Sequence, residues 1–450
     1  MAKGGERYLS LDFLRGLTIF GMVLSAIQPS GVMPGWMYHV QNPPPTHALD
    51  MSVPGIGWVD LVFPIFIFCM GAAIPFAKPS IKGIFSRFAM LWLFSYLYVF
   101  INSSNSWVTL AGFLALFPLY MVFKTPPKIF GKEIPVTALR ITGALLVAGV
   151  ITVNHFYFGE AISVQRRGII IFLLAFLYLF GSLIWHYTRN NLTRRAAIFG
   201  LILAFTLVTQ YKEWPTITYA NPNIRWWFNV EYFYFLLLLI PATYIGDLLQ
   251  KRIKEGTEVF TSSNKGAAIA LATLSLGLVV WMTFAFYMQL YWWNLALSGV
   301  MLCGIWRICK KHFPAYVPMV LMAAYLIVAG EIIEPYGGGI KKVPCTIQYC
   351  LATCGMAMLL LIVSDFICHK AGNSFLAKIF HRAGKNPLMC YIAFDCFVLP
   401  LMVVSGGINL YRMAYPEGMH LVGFLRSVVA VLFTMWVVGL FTKKKIFWKA

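Results

Sequence analysis

Charge is scarce in this chain. Only 12% of its 450 residues are Asp, Glu, Lys or Arg, about half the share of a soluble globular domain. With 60% hydrophobic residues, there is more apolar surface than a water-soluble core can hide, and lipid is the solvent that accommodates it. No stretch reads as a soluble domain, and no Gly- or Ser-rich linker or internal repeat divides the chain. Signatures of other chemistries are missing too. HExxH, Walker and GxSxG patterns are absent wherever they would carry meaning, so zinc hydrolysis and ATP hydrolysis have no footing. None of the nine cysteines forms a CxxC pair, and most lie in or beside apolar runs. They read as small buried hydrophobes rather than a disulfide framework or a thiolate metal site.

What is present is a succession of apolar runs close to the length, about 20 residues, that crosses a bilayer. Candidate spans lie at roughly 11–27, 59–77, 88–102, 107–123, 137–158, 168–186, 196–211, 228–249, 266–286, 289–306, 313–332, 346–367, 389–405 and 421–441. The expected fold is an all-α polytopic bundle of about 11 to 14 spans forming one domain; a re-entrant pair among the short runs would lower the count of fourteen by two. The first run follows Lys3 and Arg7 without a small-residue cleavage site, so it reads as a retained span.

The net charge of +20 does not point to nucleic acid, because its distribution is sided. With the N-terminus inside, most Lys and Arg fall in the inner segments. The outer ones hold only Arg166, Arg167, Lys212, Arg225, Lys341, Lys342 and Arg412. This positive-inside bias places both termini in the cytoplasm. The KKK run at 443–445 reads as a headgroup anchor on that side.

Between the first two spans lies an outer loop, 28–58, that contains no Lys or Arg. It is much longer than most connections, is stiffened by prolines, and carries Trp36, Tyr38, His39, His47 and Asp50. Asp60 opens the next span. A histidine is suited to proton transfer near neutral pH, and a carboxylate on its other ring nitrogen would fix the tautomer. Asp60 or Asp50 could orient His39 or His47, and Asp60 also suits the first turn of a helix. A third outer loop, IEPYGGGIKKVPC (333–345), places glycines beside two lysines. It reads either as an anion cradle or as a tight turn.

Charges inside spans are costly and are functional hypotheses by default. Asp395, within YIAFDCFVLP, could bind an amine, relay a proton or pair with Arg426. Asp12 and Arg15 are i, i+3 neighbours, so Arg15 reads as Asp12's partner or as a phosphate ligand. Asn386 reads as a helix cap. Glu231, Glu331 and Glu334 near outer span ends could attract a cationic sugar or simply be solvated. Trp36, Tyr38, Trp58, Trp226 and Trp227 could stack on a sugar ring or belong to the interfacial belt.

The segments LSLDFLRGLTIFGMVL (9–24), WVDLVFPIFIFCMGAAIPF (58–76), IPATYIGDLL (240–249), GGGIKKVPCTIQYCLATCGMAMLLL (337–361) and GKNPLMCYIA (384–393) together resemble a known family. They look like transmembrane acyltransferases related to heparan-alpha-glucosaminide N-acetyltransferase, and more narrowly like a bacterial branch linked with N-acetylglucosamine transport. The resemblance implies about ten or eleven core spans in a bacterial inner membrane, acetyl-CoA arriving from the cytoplasm, an amino-sugar acceptor outside, and often a homodimer. It implies a catalytic histidine in the first outer loop, for which His39 is favoured over His47. It also allows a site role for Asn386, which joins Arg15, the candidate phosphate ligand, as a candidate coenzyme contact. The family's asparagine near the outer end of the first helix is missing: the region reads LSAIQPS, with Ala26 at that place and Ser25 and Gln28 beside it. Two readings stand above a purely structural membrane partner. One is an acetyltransferase acting on a glucosamine-like acceptor, and the other is a transporter of N-acetylglucosamine or a related cell-wall sugar.

Overall fold

Inside a bilayer a single segment can satisfy its backbone only by coiling into a helix, and this chain does so almost throughout. The computed structural model describes residues 8–123, 128–129, 132–211, 228, 230–256, 259–260 and 264–448. In chain order the helices are α1 (Leu9–Ile27), α2 (Trp58–Ala77), α3 (Ile81–Phe100), α4 (Ser106–Tyr120), α5 (Val136–Phe158), α6 (Ile169–Thr188), α7 (Leu192–Tyr211), α8 (Leu236–Glu255), α9 (Lys265–Tyr287), α10 (Tyr291–His312), α11 (Val317–Ile333), α12 (Ile347–Ala371), α13 (Phe375–Lys385), α14 (Pro387–Val404), α15 (Ile408–Met413) and α16 (His420–Lys443). A two-residue antiparallel ladder, β1 (Lys128–Ile129) with β2 (Lys132–Glu133), lies between α4 and α5.

Each of the fourteen expected runs contains a helix among its described residues. Among the described residues, eleven helices are long and apolar enough to cross a membrane. The other three runs are α4, at 15 residues, and α8 and α10, whose final turns carry Arg252 and Lys254, and Lys310 and Lys311. The stretch 368–388, which lies between two of the expected runs, is more than a connection. It contains α13, an amphipathic helix capped by Ser374, whose side chain accepts from the Ala377 N–H at 3.2 Å.

Burial separates the core from the rim. In α12, 83% of the apolar window is buried, against 11% in α5. The core is built from α1, α2, α8 and α12, with α2 packed on α8, α11 on α12 and α13 on α1. The α1–α13 crossing has no room for side chains: a Cβ on Gly384 would strike the Asp12 carbonyl oxygen, and one on Gly16 the Phe380 carbonyl. Thr442 Oγ1 donates to Arg382 O at 3.2 Å. The start of α1, the end of α13 and the end of α16 therefore share one end of the bundle, the lysine-rich one.

That end is held by a buried knot. Asp365 Oδ2 accepts from Tyr8 Oη at 2.7 Å and Tyr316 Oη at 2.6 Å, and pairs with Arg252 at 3.4 Å. The guanidinium also lies 4.4 Å from the centre of the Tyr316 ring, so α8, α11 and α12 close around one carboxylate. Removing one partner of a buried pair strands the other's charge. Asp365→Ala is expected to lose about 3–5 kcal/mol. Glu255→Ala, which removes only the exposed pair with Lys251, should lose no more than about 0.5 kcal/mol. Thermal unfolding of both variants in detergent checks the contrast.

Candidate functional site

The site begins at the first turn of α2. Gly57 precedes the helix and donates its N–H to Asp60 Oδ2 at 3.1 Å. Val40 N donates to the same oxygen at 3.3 Å, and His39 Nδ1 lies 2.6 Å from Oδ1. The Asp60 side chain is only 3% exposed. An ionised carboxylate can only accept, so the proton of the His39–Asp60 contact sits on Nδ1. Nε2 is then the nitrogen with a free lone pair in the neutral ring. Lys342 Nζ lies 3.3 Å from His39 Nδ1 and 3.9 Å from Asp60 Oδ1. With Nδ1 already donating, Lys342 acts as a charge beside the pair rather than as a hydrogen-bond donor to Nδ1. Burial pulls the Lys342 ammonium below its usual value, and Asp60 opposes that pull.

Two loops meet to make this arrangement. The first is folded on its own side chains. Gln28 Nε2 donates to Met37 O at 2.7 Å; Tyr38 Oη donates to Pro29 O at 2.5 Å and accepts from Met33 N at 3.0 Å. The second turns at Gly338 and Gly339, whose φ values of +72° and +79° suit glycine. Gln348 Nε2 donates to Gly339 O at 2.6 Å and holds that turn. The loops are clipped together by Gln41, which donates to Val343 O and accepts from Val343 N at 2.9 Å, and by Gly55 N donating to Ile340 O at 2.7 Å. From below, Tyr349 Oη donates to Asp60 O at 2.7 Å.

His39 and Lys342 face a cavity of about 430 Å³. Its other walls include Ser25 and Ala26 of α1, Val62 of α2, Tyr98 and Asn102 at the end of α3, and Tyr391 and Asp395 of α14. Asp395 lies in a π turn, Phe394–Val398, inside α14. Such turns are common at functional sites. A base, a cation and a mid-span carboxylate thus share one space. A separate groove of about 700 Å³ is almost wholly apolar and runs along α1 and α2 from Leu14 to Trp36, Trp58 and Phe424, and Val62 lines both spaces. The groove is larger, but only the smaller cavity presents reactive groups.

The remaining expected residues are placed as follows. His47 stands apart from the cavity: its ring is 4.7 Å from that of Tyr38, and Nδ1 is 3.2 Å from Asn42 O. Asp50 is exposed and accepts from Ser52 N and Oγ, which lower its pKa; it orients no histidine. Tyr38 is buried in loop contacts and offers no ring to a sugar. Trp36 lines the apolar groove instead. Arg15 is spent on the protein's own acceptors, Asp12 at 3.2 Å, Gly384 O at 3.1 Å and Cys69 O at 3.2 Å. Asn386 makes no side-chain cap. It donates to Ile446 O at 3.1 Å and accepts from Trp448 N at 3.1 Å, tying down the C-terminal segment. The candidate coenzyme contacts are therefore structural ties. Arg426 does not reach Asp395; it donates to Tyr411 O and stacks on the Tyr411 ring. Glu331 and Glu334 are buried and lie outside the cavity wall. The Glu231 side chain and Trp226 and Trp227 lie outside the described residues. Among the described residues, no three His, Cys, Asp or Glu side chains gather to hold a metal.

Sequence reasoning missed Lys342 as the neighbour of His39, and Gln41 and Tyr349 as supports. The lysines after GGG were visible, but not where the turn delivers them. Because Lys342 balances the buried Asp60 charge, Lys342→Met and Asp60→Asn should each destabilise the protein, and together cost less than the sum. The expected coupling is about 0.5–3 kcal/mol. Thermal unfolding of the two single variants and the double variant against wild type measures it.

No curated protein matches the sequence. Residues 7–249, just over half of the chain, match the family described as Domain of unknown function (DUF5009), and the chain belongs to that family.

Proposed function

We propose that the protein is a membrane acetyltransferase. It transfers the acetyl group of cytoplasmic acetyl-CoA to the amine of a glucosamine-like acceptor held at the charge-poor, extracytoplasmic side. The observation that carries this reading is His39, oriented by Asp60 beside Lys342, on the wall of the cavity that also contains Asp395. Resemblance to the heparan-alpha-glucosaminide N-acetyltransferase group supports the donor and the acceptor class.

In the proposed reaction the neutral amine attacks the thioester carbonyl carbon. The N–C bond forms, the C–S bond breaks, and His39 Nε2 takes the amine proton. The imidazolium then returns that proton to the departing thiolate. Asp60 keeps Nδ1–H in place and stabilises the imidazolium. The Lys342 ammonium offers positive charge to the carbonyl oxygen as it becomes an oxyanion. Asp395 attracts the ammonium form of the incoming sugar and accepts the proton whose loss leaves the neutral amine. The competing reading, a sugar transporter, draws on the same Asp395, because a carboxylate on a π turn at mid-span also suits a proton carrier.

Labelled acetyl-CoA and glucosamine, supplied to the purified protein in detergent, separate the two. Label in N-acetylglucosamine supports the enzyme. His39→Ala is then expected to lose about 10²–10⁴-fold in turnover, while His47→Ala retains most of it. Asp395→Asn should raise KM for the sugar more than it lowers kcat. Absence of transfer, with sugar uptake into liposomes, would replace the proposal with the transporter.

A further inference from the structure

A second polar cluster lies between α10 and α11, apart from the His39 cavity. The two helices are joined by the short turn Pro314–Tyr316 and run antiparallel. Ser298 Oγ donates to Glu331 Oε2 at 2.6 Å across them. Asn294 is one turn back along α10 and Glu334 one turn on from Glu331, so antiparallel packing sets Asn294 opposite Glu334. All four side chains are removed from the surface: Asn294 is 1% exposed, Ser298 0%, Glu331 3% and Glu334 1%.

Buried polar atoms are normally hydrogen-bonded, and here four are not. Both amide atoms of Asn294, Oε1 of Glu331 and Oε1 of Glu334 lack a partner among the described residues. Among the described residues no Lys or Arg bears on the acids. Burial, followed by the charge of Glu331, pushes the Glu334 carboxyl up to about 8. Tyr291, whose Oη donates to Gln289 at 2.5 Å, is the third titratable group beside them.

We propose that Asn294, Ser298, Glu331 and Glu334 form a binding site for an alkali-metal cation. The donors are all hard oxygens from carboxylate, amide and hydroxyl groups, without the imidazole or thiolate that transition metals favour. Mg²⁺ keeps several waters in a regular octahedron, which a closely packed helix pair does not provide. The ion would fix the end of α11, from which the Gly337–Gly339 turn carries Lys342 to Asp60. The site stands whether or not the acetyltransferase reading holds.

The test is thermal unfolding of the full chain in detergent at pH 9, in NaCl, KCl or choline chloride of equal ionic strength. A saturable rise in Tm with Na⁺ or K⁺ over choline is expected. It should shrink at pH 6, where protons compete for Glu334, and vanish in Glu334→Gln and Asn294→Ala. Glu334→Gln preserves the shape of the neutral carboxyl, so it tests binding rather than folding. In choline alone, an acid with a raised pKa binds its proton in the folded state while the unfolded chain has released it. Stability should therefore fall as pH rises from about 4.5 to about 8. Equal Tm in all three salts at pH 9 would overturn the cation site and leave a proton-binding pair. A salt-specific rise that persists in Glu334→Gln would also overturn it, by locating the ion elsewhere.

Discussion

A carboxylate withdrawn from water has to be answered by donors and by positive charge, and Asp60 imposes that requirement on everything around it. The loop that covers it, 28–57, has no Lys or Arg of its own. Its backbone supplies Val40 N and Gly57 N, and His39 supplies a ring N–H. The balancing cation has to come from another part of the chain, and Lys342 brings it. Once that is required, the Gly338–Gly339 turn and the Gln41–Val343 clip follow as the means of delivery. The unit made by α1, its loop and α2 is therefore complete only when the α11–α12 connection has closed over it.

The same geometry divides the outer half of the bundle into two unlike spaces. The helix ends that meet around His39 leave a cavity edged by hydroxyls, an amide and charges. On the other face of α1 and α2 lies a groove with almost nothing polar in it. Val62 belongs to both walls, at the border between a polar space and an apolar one.

Much of this was legible in the sequence, and the limits have physical reasons. Hydropathy located every span because a bilayer leaves the backbone no alternative to a helix. It missed α13 because that helix is short, carries Arg382 and Lys385, and buries only one face. The pairing of His39 with Asp60 could be anticipated because the loop is local and Asp60 sits at a helix start. Lys342 could not be assigned to them, since no spacing rule connects residues three hundred positions apart. Tyr38 looked like a sugar platform, but its hydroxyl is claimed by the loop's own backbone. Asp395 stood out as a charge within a span; its guessed partner Arg426 was instead taken by two tyrosine rings.

The tie between Asn386 and the C-terminal segment has a consequence for biogenesis. Trp448 inserts its ring among Phe94 of α3 and Phe113, Phe117 and Tyr120 of α4. Phe447 O also receives the Val122 N–H at 2.8 Å. Those two helices leave the ribosome early, yet their aromatic socket is filled by a residue made far later. During synthesis they must wait in the membrane with that socket open, shielded by lipid or by the insertion machinery. Helix-by-helix insertion can set the topology of this protein, but the packing of α3 and α4 is completed only when Trp448 has been made and brought back to them.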